Sequence, residues 1–173
     1  MENIIIVTQK EKNTATLQYN NLIIDAFIGE NGTTTEKQEG DKKTPLGLFK
    51  LGSCFGTHNK KEINKKLNYF EITNNHYWVD DSSSIYYNQL VDITKTQKNW
   101  NSAEHLSDYP EQYEYAIEIL SNPQNVPNKG SAIFLHCSVN RPTAGCVAIK
   151  SDDMKLLLDL IDENTEILIK KMY

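Results

Sequence analysis

Short apolar runs alternating with polar residues at period two, and broken by asparagine- and glycine-containing turns, fill most of this chain and restrict it to a fold built mainly from β-strands. Residues 3–9 and 14–19 read as strands. Asn20-Asn21 then makes a tight turn into 22–29, because asparagine tolerates positive φ. A polar loop over 29–40 leads to a short apolar run at 46–51, and 60–67 predicts a small helix. Residues 70–80, with Tyr77, Trp78 and Val79, predict another strand. Tyr113, Tyr115, Ile117 and Ile119 alternate with polar neighbours as a half-buried strand does.

The pattern turns helical near the C-terminus. Ser151 reads as an N-cap, Asp152 and Asp153 fall in the positive first turn, and 154–161 supplies an apolar face before a last strand at 166–170. One helix against a mostly antiparallel sheet is mostly β with few helices, an α+β class without the repeated βαβ units of a parallel sheet. With 173 residues and 39% hydrophobic content, the chain makes one domain with a real core.

Charge narrows the function. A net charge of −5 supplies no basic stripe for phosphates, so no nucleic-acid partner is expected. Lys60, Lys61, Lys65 and Lys66 read as a solvated helix face. No run approaches the roughly eighteen apolar residues of a membrane span, and the N-terminal residues lack the basic and small-residue parts of a secretory signal as written.

Chemistry concentrates at 131–149. There an apolar run delivers His136, a polar loop turns the chain, and Gly145-Cys146 opens a second apolar run. A cysteine attacks as thiolate, its unperturbed pKa of about 8.5 leaves little thiolate at neutral pH, and an imidazole nearby can correct that. Gly145 frees the backbone for an unusual dihedral and offers main-chain N–H groups beside Cys146 for an oxyanion. Cys137 follows His136 directly, and on a strand it should face the core while His136 faces the site. Three cysteines leave at least one unpaired. Cys54 reads as structural, and so do His58 and His76. A zinc set of Cys54, His58, His136 and Cys146 lacks the paired short loops of structural zinc sites, so no metal is expected.

His136, Thr143, Gly145 and Cys146 resemble the signature of the L,D-transpeptidase (YkuD-like) catalytic domain, where a histidine precedes a Ser/Thr-x-Gly-Cys box. Gly40-Asp41, Thr44-Pro45 and Gly47 resemble the Gly-Asp-x-x-Thr-Pro-x-Gly segment upstream in that family. Two elements in order, roughly a hundred residues apart, are more specific than either alone. The chain departs from the pattern in three places. The gap between histidine and cysteine is short, Ala144 stands where a second histidine is common, and Ala148 replaces an arginine. Arg141 is the substitute guanidinium for a substrate carboxylate.

The resemblance implies a β-sandwich-like domain and a cysteine-dependent acyl transfer on peptidoglycan stem peptides. Cys146 would form a thioester, His136 would move the protons, and backbone near Gly145 would hold the oxyanion, with no cofactor. It also puts Thr44 and Thr143 on the substrate surface. Residues 80–106 are long, polar and aromatic, and such loops are commonly lids or binding surfaces. Tyr87, Trp100, Glu104 and His105 are its candidates for a sugar-peptide polymer. The family implies a periplasmic or wall location; the N-terminus as written allows leaderless export or a cytoplasmic site. An L,D-carboxypeptidase or amide hydrolase on this scaffold, a leaderless wall-targeting toxin and a non-catalytic wall-binding module are the alternatives.

Overall fold

Alternation along the first strands does what its period requires. The computed structural model describes residues 2–172. It contains β1 (Ile4–Gln9), β2 (Thr14–Tyr19), β3 (Leu22–Phe27), β4 (Thr33–Thr34), β5 (Thr44–Pro45), β6 (Gly47–Gly56) and β7 (Tyr69–Glu71). After these come β8 (His76–Val79), β9 (Leu90–Asp92), β10 (Ala103–His105), β11 (Tyr115–Ile119), β12 (Phe134–Cys137), β13 (Val147–Ile149), α1 (Ser151–Leu160) and β14 (Glu166–Lys171). Ile5 and Val7 of β1, Ala15 and Leu17 of β2, and Ile24 and Ala26 of β3 are buried. Asn20 turns between β2 and β3 at φ 52°.

One large sheet runs in the order β11-β12-β13-β3-β2-β1-β14-β6-β7, and β11 also pairs with β6. The sheet therefore closes on itself as a barrel-like sandwich. β6 makes the closure because it is long enough to serve two neighbours: residues 47–50 pair with β14, and 51–56 with β11. Into the interior point Leu17, Leu135, Val147, Ile149, Ile167 and the α1 residues Met154, Leu157 and Leu158, all buried. At about 1.5–3 kcal/mol per large apolar side chain, this interior is the main stabilising element.

A second, smaller core lies on the outside of the barrel. Phe55, Trp78, Leu106, Tyr113 and Phe134 pack there, with Phe55 and Phe134 edge to face at 5.0 Å between centroids. Covering it is a separate sheet in the order β10-β8-β9.

Several expectations change at this level. Residues 80–106 are not one long loop, because β9 and β10 lie within them and pair with either side of the preceding β8. The expected strand over 70–80 is two strands; Thr73 breaks it by donating its N–H to His76 Nδ1 at 2.9 Å. The expected helix over 60–67 shrinks to one 3₁₀ turn, Lys60–Glu62. Asn64 instead turns its amide to the carbonyls of Leu158 and Ile161 at the end of α1, both at 3.0 Å. Ser151 does not cap α1: Lys150 holds that position without a side-chain bond, and the Ser151 hydroxyl donates to Glu114 at 2.7 Å. β11 is buried on both faces rather than half-buried, since the barrel core lies on one side and the outer core on the other.

Candidate active site

Register decides which face carries the chemistry. β12 and β13 are parallel neighbours with Leu135 opposite Val147, His136 opposite Ala148 and Cys137 opposite Ile149. Side chains alternate along a strand, so Leu135, Cys137, Val147 and Ile149 enter the barrel core. Phe134, His136, Cys146 and Ala148 are left on the outer face. Cys146, one residue before β13, and His136 on β12 thus share the outer face. Ala148, directly across from His136, adds no bulk over the imidazole.

Both groups line one cleft of about 400 Å³, between the barrel rim and the covering sheet. Cys146 Sγ accepts from the Phe134 N–H and donates to the Ala132 carbonyl, each at 3.3 Å. Ala132 is left-handed at φ 52°, a conformation that costs a non-glycine residue on the order of 1–2 kcal/mol. Asn88 holds it there, accepting the Ala132 N–H at 3.1 Å. His136 donates from Nδ1 to the Cys137 carbonyl at 2.8 Å, which leaves Nε2 as the basic nitrogen. Its ring stands edge-on to Tyr113 with centroids 5.7 Å apart.

Burial sets the resting charges. It pushes the His136 pKa down to about 4, against the pull of the Cys137 carbonyl, and the Cys146 thiol up to about 12, against the Phe134 N–H. Both shifts favour the neutral thiol and the neutral imidazole at rest, rather than a preformed thiolate.

The two sequence elements meet at one atom. Thr143 Oγ1 donates to the Cys146 carbonyl at 2.6 Å and accepts the Gly145 N–H at 3.1 Å. Thr44 Oγ1 donates to the same carbonyl at 3.4 Å and accepts the Gly29 N–H at 2.8 Å. Gly145 itself has φ 141°, and a Cβ there would lie 3.0 Å from the Lys43 carbonyl. The Gly145 N–H is thus occupied by Thr143. The Cys146 and Ala144 N–H groups have no protein acceptor among the described residues, and both residues line the cleft.

The other sequence candidates divide. Thr143, Arg141 and Glu104 line the cleft, and Arg141 is exposed. Glu104 accepts from the Tyr113 hydroxyl; burial raises its pKa, the Tyr113 bond opposes this and Asp80 adds to it. Thr44 is fully buried behind Cys146 and does not face the cleft. Tyr87 is buried too, its hydroxyl donating to Glu39 at 2.6 Å and accepting the Gly130 N–H at 3.0 Å. Trp100 packs with Val79 and Val91 beneath the covering sheet. His105 stacks on Tyr77 at 4.3 Å and bonds the Asn74 carbonyl at 2.8 Å. Trp100 and His105 thus pack within the covering sheet, while Tyr87 ties its segment to the loops of Glu39 and Gly130. Cys54 lies in the barrel core and His58 stacks on Tyr115, both away from the cleft.

Sequence reasoning missed Lys37, Glu39, Asp80 and Tyr113, all lining the cleft. The sequence placed Tyr113 in a strand, whereas it stands in the turn before β11, and Asp80 was read only as the start of the polar region. Lys37 and Glu39 were hidden in what read as a solvated loop.

A family model for the L,D-transpeptidase catalytic domain, YkuD, matches residues 2–169. Among solved structures, the chain matches Mycobacterium tuberculosis L,D-transpeptidase 1 at 15% identity with a TM-score of 0.41. The match covers 96% of this chain and 60% of that one, so the chain spans about three-fifths of that protein's length. No curated protein sequence matches it.

Proposed function

The chain belongs to the L,D-transpeptidase catalytic-domain family, and from that premise we propose that it transfers acyl groups between peptidoglycan stem peptides through a thioester on Cys146. The observation that carries the proposal is that a half-buried thiol and a neutral imidazole with a free Nε2 line one cleft. Among the described residues no helix is long and apolar enough to cross a membrane.

The chemistry follows from the protonation states. As a donor carbonyl approaches, the thiol proton passes to His136 Nε2 and Sγ bonds to the carbonyl carbon. Negative charge moves to the carbonyl oxygen, where the Cys146 N–H receives it. Collapse breaks the C–N bond of the L,D peptide link, and His136 returns the proton to the departing D-amino acid. In the second half the acceptor amine attacks the thioester, gives its proton to His136 and displaces Cys146 sulfur, which is reprotonated. Because the nucleophile's carbonyl is gripped by Thr44 and Thr143, its backbone need not reorganise during either half. No step requires a metal or organic cofactor. Arg141, exposed at the rim, is the guanidinium for a donor carboxylate where Ala148 offers none.

A disaccharide-tetrapeptide incubated with the protein, with and without D-methionine, tests this by product mass. Exchanged or cross-linked product that disappears with Cys146→Ala is the expected result. Hydrolysis alone would make the protein an L,D-carboxypeptidase on the same scaffold, and no turnover of any kind would overturn the proposal.

A further inference from the structure

The cleft contains a cation that neither sequence element announced. Lys37 is 9% exposed and lines the cleft together with Cys146. Its side chain lies along two glycines that leave room for it. A Cβ at Gly130 would sit 2.8 Å from Lys37 Cγ, and one at Gly145 would sit 3.6 Å from Lys37 Cε. Both glycines also have positive φ, at 102° and 141°. The aliphatic stem is thus threaded beside the nucleophile turn, and the ammonium is one bond beyond Cε.

The ammonium is held, but not used up. It bonds the Gln38 carbonyl at 3.0 Å and pairs with Asp41. An ammonium has three donors, so one N–H remains for the cavity it lines. Asp41 is itself fixed by the N–H groups of Gln38 and Lys43, both at 2.9 Å. Burial pushes the Asp41 carboxyl up, but Lys37 and these N–H groups outweigh it and hold the carboxyl below its ordinary value.

Burying a charge costs several kcal/mol unless it is paired, and a pair that only pinned a loop could sit at the surface. Here its stem passes Gly145, the residue before Cys146, and both Lys37 and Cys146 line the same cleft. His136 rests neutral, so the imidazole supplies no positive field before proton transfer. Among the influences on the Cys146 thiol, Lys37 is the cation that favours its anion, against burial and Glu104.

We propose that Lys37 is the charged positioning residue of this site: its buried ammonium, anchored by Asp41, provides the positive field at Cys146 sulfur and at the Gly145-Cys146 backbone where thiolate and oxyanion develop. The inference rests on the reading of Cys146 as nucleophile, and it gives a function to the Asp41 of the upstream element. Asp41 sets the strength of the cation, and the nucleophile feels the remainder.

The test reads local charge at the sulfur without substrate. Cys146 of the intact protein is alkylated with anionic iodoacetate and with neutral iodoacetamide, each rate being followed by peptide mass spectrometry. The ratio of the two rates reports the field at Sγ and is insensitive to a general loosening of the cleft. Lys37→Met should lower the ratio about tenfold, the size expected for one charge in a partly desolvated site. Asp41→Asn should raise it, because the ammonium loses its counter-charge. An unchanged ratio in Lys37→Met, or a shift of both variants in the same direction, overturns the proposal. Should Lys37→Met fail to fold, Asp41→Asn decides alone, and a ratio that stays or falls overturns it. A wild-type protein that shows the charge effect yet forms no thioester with tetrapeptide would retire the transpeptidase reading and leave Lys37 in its place.

Discussion

Cys137 on β12 and Cys146, one residue before β13, lie in one short segment, yet they face opposite sides of the β12–β13 pair. Cys137 points inward with Leu135, Val147 and Ile149 and makes one weak bond, to the Tyr115 carbonyl at 3.5 Å. Cys146 points outward into a cleft with His136, Arg141 and Lys37. Thiol acidity does not separate them, since burial pushes Cys137 up to about 11 and Cys146 up to about 12. Neighbours and access do. On the proposed reading, Cys146 acts as nucleophile through a base with a free nitrogen, a clamped backbone and a cavity for the carbonyl, not through a low resting pKa.

The sharpest way to break this comparison is to exchange the outer thiol for an alcohol. Cys146→Ser should cost ~10³-fold or more in turnover with the melting temperature nearly unchanged, because serine with a neutral imidazole is a far poorer nucleophile. The corresponding cut on the inner face works the other way. Leu135→Ala should lose about 2–5 kcal/mol of stability in urea unfolding while turnover per folded molecule stays close to wild type. If the inner substitution stopped chemistry in folded protein, the division between the faces would fail.

Thr143→Ala probes the joint between them. Its hydroxyl serves both the Cys146 carbonyl and the Gly145 N–H, so its loss should cost about 1–3 kcal/mol and lower kcat more than it raises KM. An effect on KM alone would place Thr143 in substrate binding instead.

The smallest expected effect is on pH dependence. His136 binds a proton less readily folded, at about 4, than unfolded, at its ordinary 6.5. The unfolded state therefore takes up more protons between those values. The stability of the neutral, buried imidazole is fully present above pH 6.5 and declines as pH falls toward 4. Between pH 7 and pH 5 the loss should be about 2 kcal/mol, and His136→Asn should not show it. The same slope in both proteins would mean that another group titrates.

Legibility in the sequence follows the same division. The barrel strands were readable because period two is imposed by one buried face, as at Ala15, Leu17, Ile24 and Ala26. That His136 and Cys146 share one cleft was readable because the two residues stand close in sequence, with Gly145 beside Cys146. The covering sheet was not: β9 and β10 are three residues each, too short for a periodic signal, and polar residues dominate around them. Trp100 and Tyr87 looked like binding residues because sequence does not distinguish an aromatic that packs from one that presents its face. Glu104 and His105 are adjacent, and strand alternation sends them to opposite sides, which a loop reading could not foresee. Lys37 was invisible for another reason. Its burial depends on two distant glycines, Gly130 and Gly145, that meet it only in the folded chain.

The most direct test of the account is to trap the intermediate. Wild-type protein mixed with disaccharide-tetrapeptide and quenched in acid should gain the mass of the acyl donor minus its terminal D-amino acid. That mass should map to the peptide containing Cys146, be released by hydroxylamine and be absent in Cys146→Ser. A stable protein that gains no such mass, or gains it at Cys137 or Cys54, would contradict the assignment of the outer face as the seat of chemistry.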